Sequence, residues 1–295
     1  MSDFKFEITE FARRFEGRFD GYLPRSEGLN ARIAAAMRYT ALGGGKRLRP
    51  YFVITVAKML GYDDEPAWRV AAALECVHVY SLVHDDLPCM DNDDVRRGKP
   101  TVHRQWDEAT AVLTGDALLT HAFELMCTPM DGVDPVLQLA LSAELAMRSG
   151  EAGMIGGQMI DLSMDELDQT EKTITTLQDL KTGALIHYAI SAGARLGGAS
   201  KAQYNALSRY ARRVGLLFQI TDDLLDVEGN AHVMGKAAGK DNDHGKATFV
   251  TILGLDGAKA RAREISKAAI ADMDIFGANA DPLRHAVQFV LERRA

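Results

Sequence analysis

The stretch "AWRVAAALECVHVYSLVHDD", residues 67–86, carries apolar side chains almost all the way round a helical wheel. A helix of that kind is buried on every side. Asp64 and Pro66 mark its start as a cap followed by a first-turn proline. Pro88 stops it. Such a helix needs other helices to cover it, and the rest of the chain supplies them. Residues 28–42 read as helix up to the Gly43-Gly44-Gly45 turn, and Pro50 to Gly61 bound another. Further helices are expected at about 106–128, 135–150, 151–163, 172–196, 201–227, 247–254, 257–273 and 282–293. No segment alternates with the period of a strand, and no low-complexity linker divides the chain. The expectation is an all-α fold, one large single-domain helical bundle over residues 1–295 around a central helix pair.

Composition agrees. The chain has 295 residues, 47% of them hydrophobic, with only 8 prolines. That supports a sizeable core and favours helix. The net charge of −7 argues against general nucleic-acid binding. Three cysteines, Cys76, Cys89 and Cys127, form no C-x-x-C pair and read as reduced thiols of a cytoplasmic protein. The opening stretch "MSDFKFEITEFARRFEGRFD" alternates charge with apolar residues and lacks the apolar core of a signal peptide. No run of about 18 apolar residues exists, so no membrane span is expected.

The buried helix runs into "HDDLPCMDNDDVRRGKP", residues 84–100, which packs five aspartates and then Arg96, Arg97 and Lys99. Carboxylates this close repel, and positive charge should sit among them. Asp85 lies on the helix, and Asp91 must return from the loop, so Pro88-Cys89 reads as an insertion that keeps the two convergent. A second cluster is "QITDDLLDVEGN", residues 219–230. There Asp222 and Asp226 share a helix face, and Asp223 points about 100° away. Taken singly, each cluster could be a solvated face. Each follows a strongly apolar stretch, however, which places it at the rim of a buried cavity. Carboxylates without His or Cys partners select Mg²⁺, which shares its octahedral shell with phosphates. Two such clusters facing one another would leave room for a diphosphate. Cys89 is a poor partner for so hard a cation.

The basic residues complete the pattern. "GGGKRLRP", residues 43–50, offers Lys46, Arg47 and Arg49 before a helix start, a combination suited to phosphate. It is not a P-loop, because Arg follows the lysine; nor is "DNDDVRRG" an EF-hand. Lys181 sits among apolar residues beside Thr182. His78, two turns before Asp85, is either a satisfied core residue or part of a site. Gln158 and Asp161 lie one turn apart in "GMIGGQMIDL". Close helix packing explains its glycines, and Gln158 could equally bond a pocket group.

The ordered set "GGGKRLRP", "HDDLPCMDNDDVRRGKPT", "GGQMIDL", "KTGALI" and "FQITDDLLD" resembles the trans-isoprenyl diphosphate synthases, most closely the bacterial farnesyl diphosphate synthases. The resemblance spans nearly the whole chain. It implies an isoprenoid synthase type I-like bundle around a central cavity and a homodimer, with 106–128 a candidate interface. Isopentenyl diphosphate and an allylic diphosphate would be the substrates, with three Mg²⁺ per active site. By that resemblance Asp85, Asp86, Asp91, Asp222, Asp223 and Asp226 are the metal residues. Arg96, Lys181, Lys236 and Lys246 contact the allylic diphosphate, and Lys46, Arg49, His78 and Arg97 hold isopentenyl diphosphate. Lys181, Thr182 and Gln219 stand near the reacting carbon as catalytic residues.

Geometry adds a product length. Ser81 and Tyr80, four and five residues before Asp85, lie about 6–7.5 Å deeper along the helix. That is where a growing tail would run, with Tyr80 as its floor. Tyr at this place, with the Pro-Cys insertion, resembles the pattern of a C15 stop; a C20 product is the first alternative. A partner subunit without activity would need lost aspartates. A terpene cyclase would not need the isopentenyl site, and a diphosphate hydrolase would need a water-activating base that the sequence does not supply.

Overall fold

The structure, a computed structural model, describes residues 2–25, 28–168, 170–233 and 248–293. Connecting turns and loops apart, the described residues are helical but for one hairpin of two-residue strands, and the chain forms two compact units, residues 2–143 and 144–295.

In the first unit α1 (Ser2–Tyr22), α2 (Ala31–Ala41), α3 (Leu48–Met59) and α4 (Glu65–Asp85) are followed by a hairpin of β1 (Val95–Arg96) and β2 (Lys99–Pro100). Then come the short α5 (Val102–Gln105), α6 (Glu108–Cys127) and the start of α7 (Pro135–Ser149). The buried helix expected from sequence is α4: Val70 to Leu74, Cys76 and Val77 have no exposed surface. Full burial of a side chain such as Leu74 contributes about 1.5–3 kcal/mol. Truncation to Ala, which leaves a cavity as well, costs about 2–5 kcal/mol. The helix ends at Asp85, slightly before Pro88, because the residue preceding a proline is steered out of the helical region.

Two differences from the sequence expectations are instructive. The opening stretch is a helix. Its apparent alternation conceals Phe4, Ile8, Phe11, Phe15 and Phe19 at three- and four-residue spacing, and Phe15 and Phe19 are 1% and 0% exposed. Phe11 stacks on Phe15 at 6.2 Å and on Trp68 at 5.9 Å, which seats α1 on α4. The hairpin was not expected, because two-residue strands carry no period. It pairs Arg96 with Lys99, so its loop is Arg97-Gly98, both with positive φ (52° and 75°). That is the type I′ geometry that matches strand twist.

In the second unit α8 (Met154–Leu162) and α9 (Glu171–Gln178) precede a π-helical turn, Asp179–Gly183. α10 (Ala184–Leu196), α11 (Lys201–Val233), α12 (Phe249–Asp272) and α13 (Asp281–Leu291) follow. The single helix expected at 172–196 is thus interrupted by the π turn, against which α8 packs. The two helices expected at 247–254 and 257–273 correspond to α12, which breaks at Gly254 (φ 70°). Thr248 and Thr251 form a reciprocal capping box at its start. Among the described residues no helix is long and apolar enough to cross a membrane. Cys76 is buried, Cys89 and Cys127 are exposed, and all three are free thiols.

Candidate active site

In the first unit the acidic stretch is a folded turn that sorts its carboxylates. The Asp91 N–H donates to the Asp85 carbonyl at 2.8 Å, and the Asn92 N–H to that of Leu87 at 3.1 Å. Pro88 and Cys89 are therefore looped out, and Asp91 returns to the end of α4 as the spacing requires. Asp86 turns inward and is 4% exposed. Arg96 meets its Oδ1 through Nε and Nη2, each at 2.7 Å. Burial pushes the Asp86 carboxyl up and the Arg96 guanidinium opposes it. Asp94 takes Arg104 at 2.5 Å, and that hydrogen bond lowers its pKa. The arginines placed behind the acidic run thus neutralise Asp86 and tie the turn. Asp91 is exposed and has no ion pair among the described residues.

The basic loop is sorted the same way. Arg47 adopts a left-handed backbone (φ 50°) and drives its guanidinium into the core. There it donates to Glu75 Oε1 at 2.6 Å, Glu16 Oε1 at 2.8 Å and the Ala41 carbonyl at 2.6 Å. Of the three basic residues in this loop, Arg47 is therefore scaffold. Lys46 remains exposed, and Arg49 is half-buried with Nη1 3.2 Å from His78 Nε2. Arg49 has only donors, so Nε2 of His78 accepts and the ring is neutral. Burial, then the charges of Arg49, Arg97, Arg47 and Arg96, hold the His78 pKa well below its ordinary value. Arg97 reaches across from the hairpin to donate to the Gly44 carbonyl. Gly45 (φ 124°) makes room for it, since a Cβ there would come 2.8 Å from the Arg97 Cζ. Arg49 and His78 are accordingly brought together, Arg97 docks on the same glycine loop that carries Lys46, and the charges of Arg49 and Arg97 both act on His78. Such a cluster is suited to an anion with several oxygens. Of the two residues expected to set product length, Tyr80 is buried, and Ser81 Oγ donates to the His78 carbonyl at 2.9 Å.

In the second unit Lys181 and Thr182 lie on the π turn. π-bulges recur at functional sites because they displace side chains from helical register. Gly157 of α8 touches this turn, and a Cβ there would come 2.6 Å from the Lys181 Cα and overlap its backbone nitrogen. Lys181 Nζ donates to Asp161 Oδ2 at 2.7 Å. Close packing explains both glycines of "GGQMIDL": Gly157 against the Lys181 turn, and Gly156 against the Glu151 carbonyl, which a Cβ there would overlap. Asp161, given no site role from sequence, is the partner of Lys181. Gln158 Nε2 is buried without a hydrogen-bond partner among the described residues.

Along α11, Gln219 and Asp222 are half-buried and Asp226 is exposed. Asp223 Oδ2 accepts the Phe249 N–H at 2.8 Å, so Asp223 also serves the start of α12. Asp222 Oδ1 accepts from Arg293 at 2.7 Å, and that guanidinium stacks over Phe218 at 4.0 Å. The sequence offered no signal for Arg293, 71 positions away from its partner. Lys236 and Lys246 lie outside the described residues.

These donors can be tested against Mg²⁺. Among the described residues no three or more His, Cys, Asp or Glu side chains gather into a group that could by itself hold a metal ion. Mg²⁺ does not ask for one: it keeps waters and is held through one or two carboxylates plus substrate phosphates. The all-oxygen donor set and the Asp85–Asp91 tether fit that requirement.

Residues 30–280 match the polyprenyl synthetase family. A farnesyl diphosphate synthase of Geobacillus stearothermophilus is 40% identical over 276 residues, covering 92% of each chain. Geranylgeranyl pyrophosphate synthase 3 of Arabidopsis thaliana, a chloroplast protein, is 41% identical, over 90% of this chain and 75% of its own. The apo crystal structure of an FPP/GFPP synthase from Zymomonas mobilis matches with a TM-score of 0.88 at 44% identity, over 98% of this chain and 99% of that one. With its fold and its ordered charged motifs, this chain belongs to the polyprenyl synthetase family.

Proposed function

We propose that this chain is a short-chain trans-prenyltransferase that condenses isopentenyl diphosphate with dimethylallyl or geranyl diphosphate to give farnesyl diphosphate. The observation that carries the reading is the pairing, within the first unit, of two kinds of charge. One is the outward carboxylate turn, tethered at 2.8 Å between Asp91 and Asp85; the other is the cation cluster around neutral His78. The first suits a metal-bound diphosphate and the second a free one.

In this reading Asp85 and Asp91, supported by the inward Asp86, and Asp222, with Asp223 and Asp226 nearby or acting through water, would hold Mg²⁺, three ions per site. The metal supplies charge neutralisation to the departing diphosphate. Arg96, Lys181, Lys236 and Lys246 add donors to the same diphosphate, stabilising the charge that grows as the C–O bond breaks. Thr182 and Gln219 line the emerging allylic cation. Lys46, Arg49, His78 and Arg97 hold isopentenyl diphosphate so that its double bond attacks that cation. The proton then leaves to the released diphosphate. Apolar walls exclude water that would quench the cation. The neutral state of His78 lets its Nδ1–H donate without adding charge.

The whole chain, residues 1–295, acts in this reading as one catalytic domain of a cytoplasmic homodimer. Exposed Val112 and Leu113 on α6 support a subunit interface there. The free thiols at Cys89 and Cys127 suit a reducing compartment. A geranylgeranyl (C20) product is the second reading, favoured by the plant relatives at 41% identity. A partner subunit without activity is the third and weakest, since both aspartate motifs are complete.

Incubation of purified protein with labelled isopentenyl diphosphate, dimethylallyl diphosphate and Mg²⁺, followed by chromatography of the dephosphorylated products, tests the reading. A C15 alcohol is expected. A C20 alcohol keeps the chemistry and removes Tyr80 as the floor; no elongation by folded protein sinks the prenyltransferase reading. Tyr80→Ala is expected to lengthen the product.

A further inference from the structure

Tyr80 is 5% exposed, and its hydroxyl has no hydrogen-bond partner among the described residues. No polar contact of that hydroxyl fixes the ring, so packing must. One neighbour is His84, a single turn further along α4. The two rings meet edge-to-face, centroids 5.8 Å apart and planes at 78°. Helical side chains lean toward the N-terminus, so the imidazole lies over the turn that carries Tyr80. His84 is itself fixed. Its Nε2 donates to the Val112 carbonyl of α6 at 3.0 Å. Its ring fills a notch at Gly115, where a Cβ would overlap Nε2 and Cδ2 and come 2.7 Å from Cε1. A glycine inside a helix is unfavourable, and here the imidazole accounts for it.

We propose that His84, seated in the Gly115 notch, is a positioning residue for product length. It holds the Tyr80 ring across the path of the growing chain, so the floor is the composite of Tyr80, His84 and Gly115. This rests on the prenyltransferase reading and on Tyr80 as the floor. If the imidazole is removed, the ring gains room to swing toward α6 and the path deepens. If the notch is filled while the imidazole remains, the imidazole is expelled and the same thing follows. If the imidazole is removed and the notch is filled, the ring is supported again.

The test compares the ratio of C20 to C15 products from the wild-type chain, His84→Ala, Gly115→Ala and the double variant His84→Ala/Gly115→Met. Substrates are isopentenyl and dimethylallyl diphosphates with Mg²⁺, and thermal melts verify folding. Wild type should give C15. The ratio should rise about tenfold or more in each single variant, the scale on which an apolar pocket discriminates small changes of size, and fall back in the double variant. A merely structural role would lower stability or rate and leave the ratio unmoved. His84→Ala that is folded, active and unchanged in ratio overturns the proposal, as does a double variant that stays as long as the single. Should Gly115→Ala fail to fold, the other two decide. A wild-type protein that makes no elongated product removes the prenyltransferase reading itself.

Discussion

Two charged loops of the first unit, residues 43–50 and 84–100, solve one problem with opposite signs. Each crowds like charges into a few positions. Each then sends one charge inward as scaffold and leaves others exposed or half-buried, as Lys46 and Arg49 or Asp91 and Asp85 are. In the basic loop the inward residue is Arg47, whose side chain has no exposed surface and whose partner Glu75 is 2% exposed. In the acidic loop it is Asp86, whose partner Arg96 is still 31% exposed. The basic loop is anchored in the core, the acidic turn only at its edge. The difference teaches that charge density in a motif is not the same as charge available to a ligand.

The largest effect should come from attacking the deeper anchor. Glu75→Gln leaves Arg47 with less compensating charge in the core, and losing one partner of a buried pair costs about 3–5 kcal/mol. Urea unfolding at neutral pH measures it; a loss under 1 kcal/mol would mean that Glu16 and the Ala41 carbonyl suffice for Arg47.

Next come the charges proposed to meet the substrates. Asp85→Asn should lower the condensation rate about 10²–10³-fold, the scale for losing one preorganised electrostatic group, with an unchanged melting temperature. A rate within a few-fold of wild type would remove Asp85 from the metal set. Arg47→Lys offers the contrast: stability should fall before substrate affinity does.

The α4 histidine beside the basic loop also carries a pH dependence. Protonating His78 in the folded state would add a cation among Arg47, Arg49, Arg96 and Arg97. Its folded pKa is depressed, so the unfolded chain takes the proton first as pH falls below about 6.5, and stability drops from there. Above that pH this group contributes no slope. Urea midpoints between pH 5 and 8 should show the decline, and His78→Gln should flatten it. An equal decline in the variant would assign it to other groups.

The smallest effect is expected at Asp94. It is exposed and its Arg104 partner is 52% exposed, and surface pairs of this kind contribute little. Asp94→Asn should leave both rate and melting temperature unresolved from wild type. A large loss there would erase the distinction between tie and working charge in the acidic turn.

What could be read from the sequence follows from what is local. The apolar wheel of residues 67–86, the Pro and Gly punctuation and the i, i+4 aspartates of α11 are short-range signals, and the helices followed from them. Pro88-Cys89 as a looped insertion was also legible, because only a loop lets Asp91 return to Asp85. The scaffold roles were not. Arg47 and Glu75, Lys181 and Asp161, and Asp222 and Arg293 are pairs distant along the chain, and spacing says nothing of who meets whom. The π turn was hidden for another reason: "QDLKTGA" is good helix sequence, and the bulge answers to packing at Gly157.

That turn has a consequence for how the chain tolerates change. A π turn places one extra residue in a helical circuit. Everything after it is set back by one position against everything before. α9 buries Ile174 and Leu177, and α10 buries residues 184–194 on all sides. Between them the extra residue works as a phase shifter. Deleting one residue at 179–183 would let the helix close into uniform α register. Both flanking helices would keep their residues, yet Lys181 and Thr182 would lose the displaced directions that the turn gives them. A chain shortened by that single position would remain helical by every global measure while its lysine addressed a different neighbour.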